Sequence, residues 1–120
     1  MDYVTRAEYL EFSGIDLDIE LRKSNTDNPG NVTKIFIKRV QDWVFNFMKF
    51  NFYFDYEDYD ADIFKEGILH QIDYIRRNGD ITIDGETTIS KLAPNTLMVY
   101  KIAGYCNITP ERVLGKSAWQ

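Results

Sequence analysis

His70 is the single histidine and Cys106 the single cysteine of this 120-residue chain. A lone histidine can act as a general base, but it needs a hydroxyl or thiol nucleophile to activate. No nucleophile motif accompanies His70, and with no other His or Cys near it in sequence a zinc site is not expected. Two residues after Ile68, it falls beside a helical apolar stripe, where a surface or boundary role accounts for it. Cys106 reads as a small buried residue just after a helix. Asp58, Asp60 and Asp62 space their carboxylates like the start of a calcium loop. That loop also needs Gly at its sixth position and Glu at its twelfth. Here those positions are Ile63 and Leu69, so the match fails. The same acids at the start of a helix complement its dipole, which is reason enough for them. The seven glycines are scattered and form no phosphate-binding loop. Two glycosylation sequons, at Asn31 and Asn107, carry no meaning without a secretion signal. Catalytic, cofactor-binding and metal-binding residues are therefore assigned to none, and no enzymatic activity is expected.

The unusual chemistry is apolar. Between Trp43 and Tyr59 the chain carries nine of its 18 aromatic side chains, and Asp55, Glu57, Asp58 and Asp60 crowd the end of that stretch. Trp43, Val44 and Phe47 fit a helical core face. Phe50, Phe52, Tyr53, Phe54 and Tyr56 are too dense for one face of a helix or strand, so some of these rings are expected at the surface. Contiguous exposed aromatic surface marks a protein interface, and neighbouring acids can form its polar rim or meet a basic partner. The expected partner-binding residues are Phe50, Phe52, Tyr53, Phe54, Tyr56 and Tyr59. Arg112, Val113, Leu114 and Trp119 join them from a C-terminal tail, where a terminal tryptophan can be frayed or can anchor on binding.

The elements that must position these residues are short. The length fits one domain with a modest core, read as residues 1–107 followed by a tail at 108–120. Thr5-Arg-Ala-Glu8 fits a capping box opening a helix from Thr5 to Ser13, with Gly14 as its stop. Ile15, Leu17, Ile19 and Leu21 alternate with charged residues, a period that suggests a half-buried strand, although a helical turn also fits so few residues. Lys23 to Asn31 reads as a loop around Asp27-Asn28-Pro29-Gly30. Val32, Ile35, Phe36, Val40, Trp43, Val44 and Phe47 repeat at helical spacing, giving a long helix from about Val32 to Phe50. Phe50, Phe52, Phe54 and Tyr56 then fall every second residue, which suggests extended chain before an acidic turn. A third helix starts near Asp60, with Ile63, Phe64, Ile68, Gln71, Ile72 and Ile75 inward and Asn78-Gly79 as its stop. Ile81 to Ile89 suggests a short strand or hairpin. Pro94 fits the first turn of a last helix, with Leu97, Met98, Ile102 and Ala103 inward. The predicted fold is mainly α: a small bundle of about four helices, a short strand or hairpin, and an extended C-terminal tail.

Charge and cysteine content narrow the function classes. A net charge of −5 argues against a protein that grips nucleic acid through a basic face. One cysteine allows no internal disulfide and suits a reducing compartment. No apolar leader follows the charged N-terminus and no run approaches a membrane span, so a cytoplasmic product without a membrane partner is expected.

The order of elements and their wording resemble a known family. "TRAEYLEFSG", "IKRVQDWVFNFM", "FKEGILHQIDYIRRNGD" and "LAPNTLMVYKIAGYCNI" look like the head–tail connector (adaptor, or head-completion) proteins of tailed bacteriophages. The likeness covers most of the chain and is strongest in the third helix with its Asn-Gly stop and in the Ala93–Asn107 block. Ile15 to Asn31 departs from the simplest helical members, in which a turn leads directly into the long helix. The resemblance implies a small virion protein forming an oligomeric ring, usually twelvefold, beneath the portal. Its partners would be the portal protein and the tail-side connector or stopper proteins, with the C-terminal tail docking on the portal. The protein would pass from the host cytoplasm into the virion, at the capsid–tail junction. DNA would pass through the ring without specific binding, and an acidic chain suits that, because like charge prevents sticking. An alternative from a different class is a small acidic phage protein that binds and inhibits or redirects a host enzyme.

Overall fold

The computed structural model describes residues 4–22, 29–78 and 91–107, with the side chains of residues 22 and 29–31 outside that description. Five helices run in the order α1 (Arg6–Ser13), α2 (Leu17–Arg22), α3 (Pro29–Asn51), α4 (Ala61–Asn78) and α5 (Pro94–Ile102). The fold is mainly α, and no sheet occurs among the described residues. The hairpin expected at Ile81 to Ile89 and the tail expected at 108–120 lie outside the described residues.

Local chemistry sets the helix ends. The Thr5 hydroxyl accepts from the Glu8 N–H and the Glu8 carboxylate accepts from the Thr5 N–H, so both halves of the capping box are present. Gly14 ends α1 at φ 76°, a left-handed conformation that suits a residue without a Cβ. Asp16 opens α2: its carboxylate accepts from the Asp18 N–H and is held from outside by a two-pronged Arg6 guanidinium. Asp60 opens α4 by accepting from the N–H groups of Asp62 and Ile63. The acid cluster thus serves a helix start, as its position suggests.

Two expectations about local structure are corrected. The alternating segment is not a strand. In α2, Leu17 and Leu21 are buried one helical turn apart while Ile19 points outward at 56% exposure. The long helix also begins earlier than expected, at Pro29, taking Pro29-Gly30 into its first turn, where proline's fixed φ and missing N–H are tolerated. Thr33 lies inside α3, and its hydroxyl donates to the Asp18 carboxylate, tying α3 to α2.

The core is the inner face of α3 and α4, closed by α1, α2 and α5. Phe36, Val40, Val44 and Met48 from α3 meet Phe64, Ile68, Ile72 and Ile75 from α4, with Tyr9, Leu17, Leu21 and Tyr100 completing the cluster. Trp43 and Phe47, expected as core, are half-buried and stack on each other. Buried polar groups are satisfied: the Gln41 side chain accepts from the Val4 N–H, and no described buried side-chain N or O lacks a partner.

The last helix turns a different face inward from the one expected. Met98 and Ile102 are exposed, Ile102 at 82%, while Thr96 and Tyr100 are buried. The reason is hydrogen bonding to α4. The Thr96 hydroxyl donates to the Gly67 carbonyl and the Tyr100 hydroxyl to the Phe64 carbonyl. Gln71 of α4 donates to the Lys91 carbonyl and accepts from the Ala93 N–H. Burial of Tyr100 raises its hydroxyl pKa well above the usual tyrosine value, so it stays a donor.

Candidate partner-binding surface

The aromatic stretch splits into an inner and an outer set. Phe54 is 5% exposed and lies within an aromatic cluster. It stacks on Phe64 at 5.4 Å between ring centroids and meets Tyr59 and Tyr105 at 5.2 Å each and Phe45 at 6.0 Å. Its expected place on an exposed interface is therefore corrected: Phe54 holds the turn onto the core. Tyr59 is half-buried between Phe54 and Phe64, and Phe52 is half-buried beside Phe47.

The outer set is Phe50, Tyr53 and Tyr56, all exposed, with Phe50 at 75%. Phe50 sits in the last turn of α3, where the chain is about to leave the helix. Tyr53 follows the helix end, and its N–H donates to the Asn107 carbonyl at 2.6 Å, tying the segment to the chain beyond α5. Tyr56 rests edge-on against Phe45, with the Lys49 ammonium 5.0 Å from its ring centroid. Of the predicted partner-binding residues, Phe50, Tyr53 and Tyr56 are thus exposed. Arg112, Val113, Leu114 and Trp119 lie outside the described residues.

The acids beside these rings divide the same way. The Asp55 carboxylate accepts from the N–H groups of Glu57 and Asp58, which shapes the turn. The Asp60 N–H donates to the Tyr105 hydroxyl, which in turn donates to the Asp60 carbonyl, fastening the end of the turn. Glu57, Asp58 and Asp62 are exposed. The result is a hydrogen-bonded turn that carries exposed rings and an acidic rim.

The chemically capable residues sit elsewhere and do not converge. His70 packs edge-on against Phe12 at 4.9 Å, which fits a boundary histidine. Burial raises the half-buried Cys106 thiol above its ordinary pKa, Lys101 opposing, which disfavours the thiolate a nucleophile needs. Tyr9 donates to Asp73 and accepts from Arg76, and Arg76 and Arg77 both pair with Asp73. That cluster locks α1 to α4 and leaves its charges paired. No group of three or more His, Cys, Asp or Glu placed to hold a metal occurs among the described residues, and no described helix is long and apolar enough to cross a membrane.

One feature escaped the sequence: a half-open groove of about 750 Å³ between α1, α2 and the first turns of α3. Val4, Ala7, Leu10 and Ile37 supply apolar lining, and Arg6, Lys34, Lys38 and Asp18 supply charge, with Arg6 paired to Asp16 and Asp18 and Lys38 to Asp42. Its residues come from three elements, so no local pattern announces it.

No family model, curated protein or solved structure matches this chain.

Proposed function

We propose that this protein is a head–tail connector (adaptor) of a tailed bacteriophage, a structural virion protein and not an enzyme. Its copies form a ring, twelvefold in the usual arrangement of such proteins, between the portal and the tail, and the ring extends the DNA channel. Its partners are other copies of itself, the portal protein and the tail-side connector or stopper proteins. DNA passes without specific binding.

The observation that carries this reading is exposed apolar surface on two separate elements: Phe50, Tyr53 and Tyr56 at the end of α3, and Met98 and Ile102 on α5. Single exposed hydrophobic residues are ordinary, but three exposed rings within seven residues of chain suit a surface that a partner covers. A closed ring needs two different patches per subunit, one for each neighbour. The net charge of −5 suits a channel that DNA must slide through.

The acidic rim of the turn also favours a second reading, a phage protein that places acids and rings in a basic groove of a host enzyme. One experiment separates the two. The tagged chain is recovered from its native lysate at moderate salt and its companions are identified by mass spectrometry. Portal and tail-end proteins are expected. A single host enzyme with no virion component would sink the connector reading and establish the other.

A further inference from the structure

We infer that residues 108–120 dock on the aromatic turn of their own chain. Apolar side chains of that segment cover Phe50, Tyr53 and Tyr56, and Arg112 and Lys116 meet the acidic rim. The contact lies beyond the connector reading and does not depend on it, because it concerns the single subunit before any partner arrives.

The first argument is position. After α5 the Tyr105 ring packs on Phe54 at 5.2 Å, and its hydroxyl bonds to the Asp60 backbone. Two residues on, the Asn107 carbonyl accepts from the Tyr53 N–H. Residue 108 therefore starts beside one of the exposed rings. Thirteen residues reach about 43 Å when extended, at about 3.3 Å each, so length does not limit the contact. Attachment at this point holds the segment at an effective concentration of about a millimolar, so a weak contact is enough within one chain.

The second argument is chemistry. Asp55, Glu57, Asp58, Asp60 and Asp62 are all exposed, with no cation among residues 55–62. With Lys49 over the Tyr56 ring counted against these five acids, four negative charges remain. Asp55 and Asp60 hold backbone N–H groups, whereas the Glu57, Asp58 and Asp62 carboxylates make no ion pair among the described residues. Such a surface, with rings inside it, suits a segment that is both cationic and apolar. Four segments lie outside the described residues. Residues 1–3 bring Asp2 and no cationic side chain, and 79–90 bring Asp80, Asp84 and Glu86 and again no cation. In 23–28 the charges of Lys23 and Asp27 cancel and no apolar side chain occurs. Residues 108–120 set Arg112 and Lys116 against Glu111 and add Ile108, Val113, Leu114 and Trp119. They alone combine a positive side-chain balance with apolar groups. The other exposed apolar face, Met98 and Ile102 on α5, has Lys101 and no acid on its helix, so it lacks the sign that would hold them.

The test is nuclear Overhauser spectroscopy on the full chain. It is run on a labelled sample and on an equal mixture of labelled and unlabelled chains, which separates contacts within a copy from contacts between copies. Contacts from the Phe50, Tyr53 and Tyr56 rings to residues 108–120 are expected, and within one copy. R112E/K116E and rising salt are each expected to weaken them. In F50S/Y53S/Y56S, amide exchange across 108–120 is expected to quicken at least about fivefold. V113S/L114S/W119S leaves every described residue unchanged and is expected to shift the three ring signals while helical dichroism stays the same. Absence of contacts between rings and segment overturns the inference, as do contacts found only between copies or ring signals indifferent to V113S/L114S/W119S. The lysate experiment reads the connector question separately: failure to recover the portal protein sinks that reading and leaves this contact standing.

Discussion

At the scale of single residues, Gly67 decides how α5 sits. A Cβ at this position would lie 2.3 Å from the Tyr100 ring, closer than any real contact. Gly67→Ala should therefore destabilise the fold by about 1–3 kcal/mol through overpacking, despite alanine's better helix propensity. Chemical denaturation reads this directly, and Tyr100→Phe should not relieve it, because ring carbons are also too close. Glu8 gives a pH prediction. Burial alone would raise its pKa, but bonding with Thr5 and the nearby Lys65 ammonium bring it below the ordinary 4.5. A carboxylate with a lowered folded pKa stabilises above its unfolded pKa and loses that contribution as pH falls through the folded value. The capping box should thus weaken below about pH 4.5, and Glu8→Gln should cost roughly half a kcal/mol at pH 7, given the group's exposure, and less in acid. Urea titrations at both pH values check it. The box is legible in the sequence because its partners are three residues apart. Gly67 is not: mid-helix glycine reads only as a propensity cost, and its reason is a ring from another helix.

At the scale of elements, periodicity found the long helices but not the orientation of the short ones. Leu17 and Leu21 are four apart, a spacing common to a strand's period of two and a helix's period of 3.6. Over six residues only Ile19 distinguishes the two, and it faces out. In α5 the apolar stripe misled because the inward residues are Thr96 and Tyr100, whose hydroxyls find α4 carbonyls. Hydrophobicity does not encode such bonds, since the acceptors belong to another helix. The same bonds make α5 depend on Gln71, which holds the Lys91 carbonyl and the Ala93 N–H before the helix begins. Gln71→Ala leaves the buried Ala93 N–H without its acceptor, at about 1–3 kcal/mol. Amide exchange is expected to quicken across α5 before it changes in α3. Equal loss of protection in both helices would show that α5 unfolds only with the whole.

At the scale of the whole molecule, the density of rings after Trp43 correctly pointed to surface aromatics but could not assign each ring. An alternation of Phe50, Phe52, Phe54 and Tyr56 looks regular in sequence, yet Phe50 closes a helix and Phe54 turns back under the chain to meet Phe64. The two classes of ring predict opposite behaviour. Phe54→Ala removes a buried ring from the centre of an aromatic cluster and should cost about 3–5 kcal/mol, a large share of the roughly 5–15 kcal/mol that holds a domain of this size together. Replacing Phe50, Tyr53 and Tyr56 together by Ser removes rings already facing water. The loss is Tyr56's contact with Phe45 and Lys49, about 1 kcal/mol. The triple variant should therefore melt within a few degrees of the parent, keep its helical dichroism, and lose self-association. Because Phe54→Ala damages the fold and the triple change spares it, comparing the two separates loss of assembly from loss of structure. A triple variant that unfolds would return these rings to the core. One that folds and still assembles would mean the ring is built on α5's exposed face instead.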